Sequence, residues 1–70
     1  MNKEKALSLL KSRSCKVIAG CLNCKIGEYT TGEISKYGTI YLKEIDKWIS
    51  LVSLIDIEYK GKMERINWAS

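Results

Sequence analysis

Proline and histidine are absent from this 70-residue chain, and cysteine occurs only three times. Three cysteines without a histidine cannot complete the four-ligand set that zinc prefers. An odd cysteine count also argues against a disulfide framework of the kind that staples small secreted domains. No apolar run is long: Leu51-Val52-Ser53-Leu54-Ile55 is among the longest, far short of the roughly 20 residues a spanning helix needs. The opening residues MNKEKALSLLKSRS lack the apolar core and small-residue cleavage site of a secretory signal. A cytoplasmic location and no membrane partner are therefore expected. The chain also lacks repeats, linkers, low-complexity stretches, a phosphate loop and a catalytic constellation.

What is present is globular in composition. Apolar residues make up 46% of the chain and charged residues 29%, which argues against disorder. So short a chain buries only about 60% of the surface its unfolded form exposes, so its core is thin. One domain over residues 1–70 is expected. Twelve basic and eight acidic residues leave a net charge of +4, enough for solubility and a weak attraction to polyanions. Lys3, Lys5, Lys11, Arg13 and Lys16 gather near the N-terminus. A solvated helix face accounts for them, with a nucleic-acid footprint as the alternative.

The spacing predicts a helix over about residues 2–11. Asn2 suits the N-cap and Glu4 the first turn, and Lys11 and Arg13 fall where the helix dipole favours cations. Ala6, Leu7 and Leu10 form one stripe, with Leu9 beside it. A helix of ~10 residues is marginal alone, so the stripe must pack on a sheet.

Residues 15–26 read two ways. Lys16-Val17-Ile18-Ala19 fits a strand, yet Leu10, Ser14, Val17 and Cys21 also fall on helical spacing. Gly20 and Asn23 weaken a continuous helix, which favours a first strand over about Gly20–Ile26. Beyond that point apolar and polar residues alternate in short runs. Strands are expected over Glu28–Ser35, with a bend at Gly32, and over Thr39–Ile45 and Trp48–Val52. After a tight Ser53-Leu54 step another is expected over Ile55–Tyr59, with Ile55, Ile57 and Tyr59 on one face. Lys36-Tyr37-Gly38, Asp46-Lys47 and Gly61 are turns, and Met63–Trp68 adds a strand or short helix. Strands this short and evenly spaced suit a five-stranded barrel over about residues 16–68, because a flat sheet of this size leaves open edges.

Three stretches resemble the Sm-like family of SH3-type barrels, which carry an N-terminal helix. Gly27-Glu28-Tyr29-Thr30-Thr31-Gly32-Glu33-Ile34 resembles its bent second strand, and Thr39-Ile40-Tyr41-Leu42 the strand that follows. Trp48 to Ile57 resembles the closing pair joined by one tight turn. The match covers roughly residues 20–59. It implies a mainly β barrel with an N-terminal helix, assembled into a ring or other oligomer through barrel edges and often binding single-stranded RNA. Two departures concern RNA. The loop that commonly holds Asp or Asn reads Ser35-Lys36-Tyr37-Gly38, and the step that carries a basic residue in RNA-binding members reads Ser53-Leu54.

Candidate chemistry is sparse. Cys21-Leu22-Asn23-Cys24, with Cys15 upstream, offers a shared metal site, a redox pair, or small apolar residues in or near the core. The last reading is favoured, with no cofactor or metal expected. Lys36, Tyr37, Tyr41, Lys43, Lys47 and Trp48 interleave cations and aromatics as a surface for stacked bases and phosphates would. They equally suit cross-strand pairs on an outer face. Glu28 with Glu33, and Asp56 with Glu58, have no nucleophile or oxyanion donor beside them, so no enzyme activity and no small-molecule substrate are expected. Met63, Ile66 and Trp68 exceed what so small a core covers easily and mark an expected self-association surface. A protein-interaction or assembly module is the leading reading, and single-stranded RNA binding the alternative.

Overall fold

Asn2 begins the fold as the sequence suggests. Its backbone is extended, and its side-chain Oδ1 accepts the Lys5 N–H at 2.9 Å, which satisfies one of the donors a helix start leaves without a partner. The computed structural model describes residues 1–22 and 24–69; Asn23, read above as a helix breaker, lies outside them. Helix α1 (Lys3–Leu10) is only eight residues long and depends on packing. Ala6 and Leu10 are fully buried, and Leu7 is half-buried beside them. Arg13, in the left-handed region at φ 63°, turns the chain into the sheet.

Six strands follow: β1 (Lys16–Cys21), β2 (Cys24–Ile34), β3 (Thr39–Leu42), β4 (Lys47–Ser50), β5 (Leu54–Tyr59) and β6 (Lys62–Arg65). All pair antiparallel in the order β4-β3-β2-β1-β5-β6. The fold is mainly β with one short helix. Among the described residues no ladder joins the two ends of this order, so the sheet is unclosed and β4 and β6 are its edges. The extents are nevertheless 25 × 24 × 21 Å. Two flat layers ~10 Å apart would be thinner, so the sheet curls around its core.

Several expected boundaries are corrected. The first strand is not Gly20–Ile26: that stretch contains the β1–β2 reversal, where Cys21 and Cys24 are register partners. Val17 and Ala19 are buried while Lys16 is exposed, so the period of two wins over the helical spacing. Gly20 lets the strands approach closely: a Cβ there would stand 3.0 Å from Ile26 Cβ and press on it. β3 ends at Leu42 and not Ile45. Glu44 folds back and accepts both the Thr30 N–H and the Thr30 hydroxyl at 2.6 Å.

On β5 the buried side chains are Leu54 and Ile57, not an Ile55–Ile57–Tyr59 face. A register shift against β1 (Ile18↔Asp56, then Ala19↔Leu54) leaves Ile55 as an extra residue. A sixth strand exists because Lys60 and Gly61, both at positive φ, make a tight hairpin turn.

The core gathers Ala6, Leu10, Val17, Ala19, Tyr29, Ile40, Leu42, Ile49, Leu54, Ile57 and Ile66. Among the described residues Thr31 is the buried polar side chain beside them; its Oγ1 accepts the Cys15 N–H at 3.0 Å. The ends of the chain meet. The Met1 ammonium donates to Arg65 O at 2.9 Å, and Asn67 N–H donates to Met1 O at 2.8 Å. No described helix is long and apolar enough to cross a membrane.

Candidate functional site

The sequence-predicted aromatics and cations divide among three places. Tyr41 and Trp48 are register partners across β3 and β4, so they project from the same face. Their ring centroids lie 5.5 Å apart at 58°, a tilted arrangement favoured by the ring quadrupoles. Trp48 remains 50% exposed. The Tyr41 hydroxyl donates to Asp46 Oδ1. That bond, then partial desolvation and the Asp46 charge, raises the phenol above its ordinary value. Lys43 starts the β3–β4 turn, its backbone N–H bonded to Thr30 O at 2.9 Å.

Lys47 points elsewhere. It pairs with Leu42, whose side chain is buried, and so lies on the opposite face from Trp48. It lines a cleft of about 450 Å³ together with Cys24, Lys25, Tyr29 and Ile45. Lys36 and Tyr37 sit at the far end of β3, roughly 10 Å along the strand. Their turn is fixed by Ser35 Oγ, which accepts the N–H groups of Tyr37 and Thr39 at 3.1 and 3.2 Å. Lys36 Nζ lies 5.3 Å from the Tyr37 ring centre.

This turn abuts the single 3-10 turn, Leu51–Ser53, through the Leu51 N–H bond to Gly38 O at 3.0 Å. Residues 35–38 and 51–53 carry one cation between them, Lys36.

Of the three expected interface residues, two turn inward. Ile66 is 5% exposed and belongs to the core. Trp68 is half-buried, and its indole Nε1 donates to Leu54 O at 2.7 Å. Only Met63, on the edge strand β6, is exposed. Three of the four carboxylates considered as acid–base pairs are engaged in surface ion pairs: Glu28 with Lys16 at 3.3 Å, Glu33 with Arg13 at 3.4 Å and Asp56 with Arg65 at 2.8 Å.

Cys15 and Cys24 are half-buried and pack against the core, as the favoured reading expects, whereas Cys21 is exposed. All three are thiols. Cys15 is half-buried below the helix end, donating to Leu9 O at 3.0 Å with Ser12 Oγ 3.2 Å away. Cys21 is exposed and Cys24 half-buried, their Sγ atoms 3.4 Å apart. Burial first, then the hydrogen bond and charge of Cys21, push the Cys24 thiol above its usual value; Lys47 opposes this. Among the described residues no three potential metal ligands cluster.

No protein-family model, curated protein or solved structure matches this chain. Its surfaces must therefore be interpreted on their own chemistry.

Two surface features went unread in the sequence. Leu22 and Ile26 are exposed around the β1–β2 reversal, and Val52 is exposed on the 3-10 turn. Only the register reveals which apolar residues fall on the outer face. A second cleft of about 450 Å³ lies between helix and sheet, with Leu7, Leu10 and Ile34 as its apolar walls and Lys11 and Arg13 beside them.

Proposed function

We propose that the protein is a non-enzymatic assembly module: an Sm-like, SH3-type barrel core formed by α1 and β1–β5 that associates with further copies through its sheet edges. The observation that carries this reading is the pair of uncovered edge strands, β4 and β6, which bear exposed Trp48 and Met63 respectively. Neither edge holds a proline. Natural sheets seldom leave an edge bare, and an uncovered edge is a template for another strand. The helix before the sheet, the order β4-β3-β2-β1-β5 and the single 3-10 turn between β4 and β5 support the barrel part of the reading. With Ile66 and Trp68 occupied internally, the contact surface moves from the expected 63–68 segment to the β6 edge around Met63 and the β4 edge around Trp48.

Single-stranded RNA is the second reading, favoured by the tilted Tyr41–Trp48 pair, of which Trp48 is half exposed. Aromatic faces of this kind stack bases without sequence preference. Size-exclusion chromatography with light scattering at tens of micromolar, with and without oligo-U and oligo-A, distinguishes the two. A defined oligomer unchanged by RNA is the expected result. A monomer overturns the assembly reading, and a salt-dependent shift with RNA establishes the second.

A further inference from the structure

The hairpin that reverses β1 into β2 carries chemistry that neither reading uses. Cys21 and Cys24 are register partners, and directly opposed residues of an antiparallel pair have Cα atoms about 4.5 or 5.5 Å apart. Both spacings fall within the range that a disulfide spans. Their sulfurs stand 3.4 Å apart, so a bond of about 2.05 Å needs an approach of little more than an ångström. Zinc would need four ligands, and among the described residues no group of three potential metal ligands forms here. Cys24 also opens onto the cleft walled by Lys25, Lys47, Tyr29 and Ile45. That cleft carries two cations and no carboxylate among its lining residues.

We propose that Cys21 and Cys24 form a redox-active dithiol that closes to a disulfide by exchange with an anionic low-molecular-weight disulfide received in the Lys25–Lys47 cleft. Cys21, the more exposed residue of the two, loses its proton to solvent and attacks one sulfur of the incoming disulfide. The S–S bond of that molecule breaks, and one thiolate leaves and takes up a proton. The remaining half stays on Cys21 as a mixed disulfide, with its anionic groups beside the two lysines. Cys24 then loses its proton and attacks the Cys21 sulfur, expelling the second half as a thiolate, which is protonated in turn. Two protein thiols are oxidised by two electrons, and one small disulfide is reduced to two thiols. No net proton is released. The order of attack agrees with Cys24 being held protonated by burial and by Cys21. Cys15 takes no part, because its thiol is turned onto Leu9 O.

The test uses the full chain, reduced and then exposed to glutathione disulfide (anionic) or cystamine (cationic), with alkylation and peptide mapping over time. The expected result is one intramolecular Cys21–Cys24 disulfide with Cys15 still alkylated. At low salt, oxidation by glutathione disulfide should be about tenfold faster than by cystamine, at the lower end of electrostatic steering. That preference should collapse at high salt and in Lys25→Glu/Lys47→Glu. Cys24→Ser should accumulate the mixed disulfide on Cys21. Absence of the Cys21–Cys24 bond, or Cys15 reacting first, overturns the dithiol. Equal rates with the two disulfides overturn the cleft's role. Zinc retained at one ion per two chains after purification without chelator also overturns the proposal, since it makes the pair half of a shared metal site.

Discussion

The Tyr41 ring lies across Gly32 so closely that a Cβ at residue 32 would stand 2.9 Å from Tyr41 Cδ2. This contact joins the bend of β2 to the outer face of the β3–β4 hairpin. The register shift between Thr31 and Ile34 surrounds the same residues, so one glycine lets the strand bend and lets an aromatic cover it.

Gly32→Ala therefore forces the ring outward. The cost should be about 1–3 kcal/mol, as for other overpacked sites. Because Trp48 rests against Tyr41, its fluorescence should shift to the red in the same variant. A urea midpoint and an emission maximum both unchanged would contradict the contact.

Leu10 is fully buried and is the last residue of a helix too short to stand alone. Leu10→Ala should destabilise by about 2–5 kcal/mol. Urea denaturation of the variant measures this directly. An unaltered midpoint would mean that the helix does not pack on the sheet.

Ile66 is the residue for which sequence and structure give opposite expectations. As an interface residue, Ile66→Ser would dissociate an oligomer and leave a folded chain. As a core residue it should lower the urea midpoint at every protein concentration, since Ile→Ala alone costs about 2–5 kcal/mol and a hydroxyl adds a polar group to the core. A concentration series separates the two outcomes.

Glu44 provides a pH-dependent prediction. The Thr30 hydroxyl first, then the Thr30 N–H, hold its carboxyl below the ordinary value of 4.5. A group with a depressed folded value contributes stability that is present above the unfolded value and is lost as pH falls through the folded one. Wild type should thus exceed Glu44→Gln in thermal midpoint at pH 7, and the gap should narrow below pH 4.5. A gap independent of pH would show that the ionised carboxylate is not what Thr30 binds.

The legible parts of the fold were local. Asn2 with Glu4 and the Ala6–Leu7–Leu10 stripe announce the helix, Gly32 the bend, and Gly61 the last turn. What was hidden depends on partners distant in sequence. The β1–β2 reversal lacks a glycine between Cys21 and Cys24, and Leu10, Ser14, Val17 and Cys21 imitate a helical period up to its start. β3 ends early because of Glu44 and Thr30, fourteen residues apart. The candidate site divided for a similar reason: Lys47 and Trp48 are neighbours in sequence, but adjacent strand residues face opposite sides. Cys21 and Cys24 stood out as a closely spaced pair in the sequence, but only the register shows that they face each other across the reversal.

Strand β1 lies near the start of the chain but in the interior of the sheet, between β2 and β5. Its Val17 meets Tyr29 on one side and Ile57 on the other. The first contact closes a short hairpin, whereas the second waits for nearly the whole chain. The β1–β2 and β2–β3–β4 meanders can form early, while the β1–β5 ladder carries the loop-closure entropy of everything between. Topologies dominated by such distant pairings fold in milliseconds to seconds, not microseconds. During synthesis the outer side of β1 stays uncovered until β5 (Leu54–Tyr59) has emerged, so the core cannot be completed before that strand is made.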